Sequence, residues 1–99
     1  MNIDVLNDNI MVKELYDDFK VNEVLNAYDE DAPYMMCEIV GISKEAKEKL
    51  ELDTEDILVI KRYAKEEFVS GLYFISWKDI RAKISKENYK DILDKGIIF

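Results

Sequence analysis

A polar turn that leads straight into an alternating strand is the feature that most constrains this chain. Residues 6–8 supply the turn, and residues 9–15 then alternate along the strand. Ile10 and Val12 share one strand face, because successive side chains point to opposite sides. The other face carries Met11, Lys13 and Leu15. A small chain that opens in this way uses its first segment as a structural strand.

Further short strands follow, separated by polar turns. The apolar and β-branched runs predict strands over residues 34–42, 57–63, 68–77 and 80–84. Residues 65–67 and 77–79 are predicted turns, and Gly71 is a candidate bulge or bend. A chain of 99 residues is long enough for one domain. Four or five short strands of this kind predict a mainly β fold, a small barrel or a curled sheet.

Two short helices are expected beside the strands. Ser43 is placed to cap a helix over residues 44–50, since a serine hydroxyl accepts from free N–H groups at a helix start. Ser85 is placed to cap a second helix over residues 86–94. The apolar stripe and tail of this C-terminal segment consist of Tyr89, Ile92, Leu93, Ile97, Ile98 and Phe99. We expect these side chains either to pack on the rest of the domain or to form an interface.

The segment over residues 16–34 has no regular period. It is strongly acidic, and it contains a small apolar island at Val21, Val24 and Leu25. A long irregular segment in so small a domain is usually functional or disordered. It is therefore the first candidate for a binding site.

Charge narrows the class of partner. The net charge is −8, which disfavours nucleic acids and acidic membrane surfaces and favours a protein partner. Early polar residues interrupt any signal peptide, and no apolar run approaches the length of a membrane span. We therefore expect a cytoplasmic protein.

The usual catalytic chemistry is missing. The chain contains no histidine, which removes the commonest general base and most zinc sites. Cys37 is the single cysteine and stands in an apolar run, where a small core residue is the simplest interpretation. Three glycines do not form a phosphate-binding loop, and the acidic pairs lack the layout of a calcium loop. We expect no enzyme activity, no metal and no cofactor.

Four blocks of the sequence resemble the GroES-type co-chaperonins, also called the chaperonin-10 family. The first block matches the family's opening P-L-x-D-R-V-x-V-K pattern at Leu6, Asp8, Ile10, Val12 and Lys13. The others cover residues 37–42, 56–60 and 73–80, and they resemble the family's G-x-V-x-x-V-G, G-D-x-V-x-F and L-x-x-x-E-x-D-I-L-A segments. All four follow the family's order along residues 1–84.

This resemblance implies a specific fold and partner. It implies a GroES-like β-barrel over residues 1–84, assembled as a homo-heptamer that caps a chaperonin cage during ATP-dependent protein folding. It also implies that the 16–34 segment is a mobile loop that grips the chaperonin's apical domains through Val21, Val24 and Leu25. The family's glycine pair before the anchor is absent, the 44–50 helix replaces its roof hairpin, and the tail over residues 85–99 is additional. Such departures suit a divergent, phage-encoded member.

Two other interpretations stay open. One is a small acidic interaction factor, such as a phage protein that binds and inhibits a host protein. Its contacts would come from the 16–34 segment or from Ile97, Ile98 and Phe99. The other is a transcription factor of the AbrB type, since residues 43–63 resemble its swapped-hairpin unit. The acidic charge and the absence of a basic arm argue against DNA binding.

Overall fold

The computed structural model describes residues 3–15 and 33–95. Its elements are β1 (Asn9–Glu14), β2 (Tyr34–Ile42), α1 (Lys44–Leu50), β3 (Ile57–Lys61), β4 (Glu66–Val69), β5 (Leu72–Ser76), β6 (Ile80–Ile84) and α2 (Lys86–Lys95). Two 3-10 turns lie between strands, at Arg62–Ala64 and Trp77–Asp79.

The six strands form one antiparallel sheet in the order β4-β5-β1-β2-β3-β6. The first strand is therefore central rather than peripheral. It pairs with β2, where Glu14 lies opposite Cys37, and with β5, where Ile10 lies opposite Ile75.

Two short connections force this sheet to curl. Strands β5 and β6 are four places apart in the sheet, which corresponds to about 19 Å in a flat sheet. The turn Trp77–Asp79 that joins them allows at most about 15 Å between Ser76 and Ile80. The turn Arg62–Ala64 links β3 to β4, which are also four places apart. Within the described residues no backbone pairing joins the edge strands β4 and β6.

The inner face of the curled sheet holds the main core. Its fully buried members come from four strands: Ile10, Val12, Met35, Cys37, Leu58, Ile60 and Ile75. Ala46 of α1 and the following Leu52 complete this core. Helix α1 begins as expected, because the Ser43 hydroxyl accepts a hydrogen bond from the Ala46 N–H at 3.1 Å.

The outer face is covered in two places. Helix α2 packs Tyr89 on Met36 of β2 and Ile57 of β3. Near the start of the chain, Met11 is only 1% exposed, although it points away from the main core. Val5 approaches here so closely that a Cβ at Gly41 would lie 2.9 Å from its Cγ2. Met11 of β1 and Met36 of β2 are therefore buried on the face that points away from the main core.

The mainly β class, with one short inserted helix and a C-terminal helix, is confirmed, whereas barrel closure stays a prediction. Two details of the predicted pattern are wrong. Residues 66 and 67 are not part of a turn but begin β4, and the single strand expected over 68–77 is a hairpin of β4 and β5. Gly71 turns this hairpin with φ +84°, a left-handed conformation that glycine adopts without strain. The sheet therefore has six strands instead of four or five.

The packing of α2 predicts that Tyr89 contributes strongly to stability. Tyr89→Ala should lower the free energy of unfolding by roughly 2–4 kcal/mol, because it opens a cavity above Met36 and Ile57. Asp91→Ala, at an exposed position of the same helix, should change it by less than about 0.5 kcal/mol. Urea denaturation followed by circular dichroism measures both, and equal effects would show that α2 does not depend on this contact.

Candidate functional site: the loop end of the sheet

The connection between β1 and β2 is anchored at both of its ends. It leaves the sheet after Leu15, whose N–H donates to the Met36 carbonyl at 3.1 Å. It returns at Pro33, whose carbonyl accepts from the Arg62 N–H at 3.0 Å. Both ends are thus held against neighbouring backbone, and we call this part of the molecule the loop end.

A half-buried cluster of charged side chains lies beside these anchors. Arg62 Nη1 donates to Glu14 Oε1 at 2.7 Å, and their side chains are only 15% and 19% exposed. Lys65 Nζ donates to the Arg62 carbonyl at 2.6 Å and lies 5.0 Å from the centre of the Tyr73 ring. The cluster therefore ties the end of β1 to the 3-10 turn and to β5, segments far apart in sequence.

Burial dominates the electrostatics of this cluster. It lowers the pKa of Lys65, with the Arg62 guanidinium adding to the effect and Glu14 opposing it. It raises the pKa of Tyr73, with the Glu67 carboxylate as the next contribution. In both cases loss of water is the largest cause of the shift.

Cys37 lies at the same level of the sheet, opposite Glu14. It is fully buried, and its Sγ donates to the Leu58 carbonyl at 3.6 Å. Burial, followed by repulsion from Glu14 and Glu38, raises the pKa of the thiol to about 12. A thiol held in its neutral form is a poor nucleophile, so Cys37 is a core residue, as its apolar run indicates.

A groove of about 380 Å³ opens on the outer face near the first anchor. Its floor is apolar and its rim is charged with both signs. The lining consists of Leu15, Ile39, Ile57 and Tyr89 together with Glu38, Thr54, Glu55, Asp56, Lys86 and Lys90. On this rim, Lys86 Nζ lies 3.5 Å from Glu55 Oε1, and both side chains are largely exposed.

The predicted binding residues lie outside the described part of the chain. Val21, Val24 and Leu25 belong to the undescribed residues 16–32, and Ile97, Ile98 and Phe99 to residues 96–99. The loop-end cluster of Glu14, Arg62, Lys65 and Tyr73 was not predicted. The only local sign of this cluster in the sequence is Glu14, a charged residue at the end of the alternating strand β1. Arg62 lies 48 positions further along the chain, so no local pattern relates the two residues.

Comparisons of this chain with known proteins found no match. No protein-family model, no curated protein and no solved structure matches this chain. Over residues 3–15 and 33–95, no group of three or more His, Cys, Asp or Glu side chains is arranged to hold a metal ion. Nor does any helix in these ranges have the length and apolarity needed to cross a membrane.

The buried thiol leads to a chemical prediction. At about pH 8 native Cys37 should react with a thiol reagent orders of magnitude more slowly than the urea-unfolded chain. Absorbance of the released thiolate measures both rates. Comparable rates in the native and the unfolded chain would contradict the burial of this thiol.

The same burial predicts how the free energy of unfolding depends on pH. Stability should fall as pH rises above 9, because the unfolded thiol ionises near 9.0 and the native thiol only near 12.

The loop-end cluster leads to a second prediction. Glu14→Gln should lower the free energy of unfolding by roughly 1–3 kcal/mol, because a neutral amide replaces the carboxylate in a charge-assisted bond that is only 15–19% exposed. The matched control is Lys86→Gln, which removes an exposed ion pair and should change stability by less than about 0.5 kcal/mol. Thermal unfolding of the two variants at equal ionic strength measures the difference in stability. An equal loss of stability in Lys86→Gln and Glu14→Gln would contradict the prediction.

Proposed function

We propose that this chain is a GroES-type co-chaperonin that caps the cage of a GroEL-type chaperonin and assists ATP-dependent protein folding. The observation that carries the proposal is the loop end. A connection over residues 16–32 joins two neighbouring strands, and hydrogen bonds hold both of its ends. This is the arrangement that a loop-borne anchor needs, since a rigid base limits the space the anchor has to search.

The positions of the resembling blocks support the same function. The block over residues 37–42 lies within β2, and the blocks over residues 6–13 and 56–60 overlap β1 and β3; these three strands are successive neighbours in the sheet. The block over residues 73–80 includes most of β5 and the turn that leads into β6. Within the first block, the Asp8 carboxylate accepts from the Ser76 hydroxyl at 2.8 Å, so the first and fourth blocks are in contact.

In this proposal Val24 and Leu25 are the anchor, with Val21 beside them. They are adjacent aliphatic residues in an otherwise acidic segment, which keeps the anchor in solution until an apolar groove accepts it. Burial of each aliphatic side chain contributes roughly 1.5–3 kcal/mol. A homo-heptamer presents seven such anchors to one chaperonin ring, so weak single contacts give strong capture.

The proposal predicts the effect of removing the anchor. The double substitution Val24→Ser and Leu25→Ser should abolish capture by a nucleotide-bound GroEL-type chaperonin and leave the sheet folded. The wild-type chain should slow the chaperonin's ATPase and support refolding of a stringent substrate. Co-sedimentation with a panel of bacterial chaperonins and ATPase rates measure these effects.

The matched control is Val40→Ser, which removes an exposed aliphatic side chain of β2 outside the loop. Its capture should equal that of the wild type. Capture that survives the double substitution would place the anchor elsewhere. If the wild-type chain binds no chaperonin of the panel in the presence of nucleotide, the co-chaperonin function is wrong, and an acidic factor that inhibits another protein becomes the better interpretation.

A further inference from the structure

Arg62 contacts both ends of the connection between β1 and β2. At the exit, its Nη1 donates to Oε1 of Glu14, the last residue of β1, at 2.7 Å. At the return, its backbone N–H donates to the carbonyl of Pro33, directly before β2, at 3.0 Å. One residue of the turn after β3 therefore joins the two ends of residues 16–32, although it is distant from both ends in sequence.

Arg62 is itself held in a defined place. It begins the 3-10 turn Arg62–Ala64, and its carbonyl accepts from Lys65 Nζ at 2.6 Å. Its backbone N–H, its carbonyl and its guanidinium are thus all bonded within the loop end. The guanidinium and the Glu14 carboxylate are largely shielded from water, which makes their charge-assisted bond stronger than one between exposed side chains.

The exit end depends on this guanidinium more than the return end does. Glu14 ends β1, and the Leu15 N–H that donates to the Met36 carbonyl makes a backbone bond at the very end of this strand pair. Strand ends fray readily unless other contacts hold them. At the return end, the pairing of β2 with β3 continues as far as Tyr34, and the Arg62 backbone bond continues it to Pro33 without the side chain.

We propose that Arg62 is a positioning residue for the binding segment over residues 16–32: its side chain holds the exit end beside the return end, and this limits the space that the segment searches before it meets its partner. We call this contact the Arg62 clamp. The inference rests on the proposed function for the identity of the partner. Fraying of the exit end lengthens the connection, and a longer connection loses more conformational entropy on binding. Loss of the clamp should therefore weaken capture although Val24 and Leu25 are unchanged.

Hydrogen exchange measured by NMR tests the Arg62 clamp without any partner. Arg62→Met removes the guanidinium and keeps the backbone N–H that binds Pro33. The Leu15 amide should then exchange at least about tenfold faster, whereas the amide of residue 62 and those in the middle of β1 should keep their wild-type rates. A merely structural role would accelerate all of these amides alike. Arg62→Lys keeps a cation beside Glu14 and should recover part of the protection.

Co-sedimentation with a nucleotide-bound GroEL-type chaperonin tests the positioning role. Arg62→Met should weaken capture by at least about tenfold, because every copy in the proposed assembly has the same defect. Glu14→Gln should weaken capture in the same direction by a smaller factor. The double variant should bind no more weakly than Arg62→Met alone, since both substitutions act on one bond.

The matched control is Ala46→Gly, which destabilises the fold away from the loop end. Ala46 is a buried residue of α1, and this helix starts at the opposite end of β1, where the Ser43 N–H donates to the Asn9 carbonyl. Its capture and its Leu15 exchange rate should equal those of the wild type. Circular dichroism at the assay temperature checks that every variant is folded. If Arg62→Met does not fold, the milder Arg62→Lys and Glu14→Gln decide.

Two outcomes overturn the inference. One is a Leu15 amide that keeps its wild-type exchange rate in Arg62→Met, which would show that the side chain does not hold the exit end. The other is faster exchange with unchanged capture, which would show that the Arg62 clamp does not position the segment. Failure of the proposed function is distinguishable from both. A wild-type chain that no chaperonin binds disproves the co-chaperonin, whereas the exchange rates still decide whether Arg62 holds the exit end.

Discussion

Short connections between distant strands are the constraint on which the rest of this structure depends. Trp77–Asp79 joins two strands that lie four places apart, so the sheet must curl until the end of β5 meets the start of β6. Hydrogen bonds hold this junction: the Trp77 N–H donates to the Asp8 carbonyl at 2.8 Å, and the indole N–H donates to Glu45 on α1 at 2.8 Å. Curling encloses the inner face, so a small chain obtains a core in which seven strand side chains are nearly inaccessible to water.

The same curl determines what the loop end contains. Because Arg62–Ala64 crosses from β3 towards β4, it carries Arg62 to Glu14 and Lys65 to Tyr73. These polar groups close the end of the core at the point where the β1–β2 connection leaves the sheet. Both ends of the long connection, at Leu15 and at Pro33, are therefore held by backbone hydrogen bonds beside an ion pair.

Local patterns predicted much of this fold, and long-range contacts account for most of what they missed. The alternation around Ile10 and Val12 and the cap at Ser43 depend on neighbours in sequence, and both are found as expected. Strand β4 was missed because Glu66 and Glu67 have low strand propensity, and only pairing with Phe74 and Tyr73 makes them part of the sheet. The Glu14–Arg62 pair joins residues that no local pattern relates. For the loop residues Val24 and Leu25 and for residues 97–99, the sequence predictions stay predictions, since these residues lie outside the described ranges.

The central position of β1 has a consequence for synthesis of the chain. Asn9 lies opposite Ser76, so one whole edge of β1 stays without its partner until residues 72–76 have left the ribosome. Pairing over such a separation is slow, because a large loop must close before the contact contributes any stability. In the meantime Ile10 and Val12, which are completely buried in the finished molecule, have no cover from Ile75. A nascent chain of this protein is thus itself a species with exposed apolar strand, of the kind that molecular chaperones recognise.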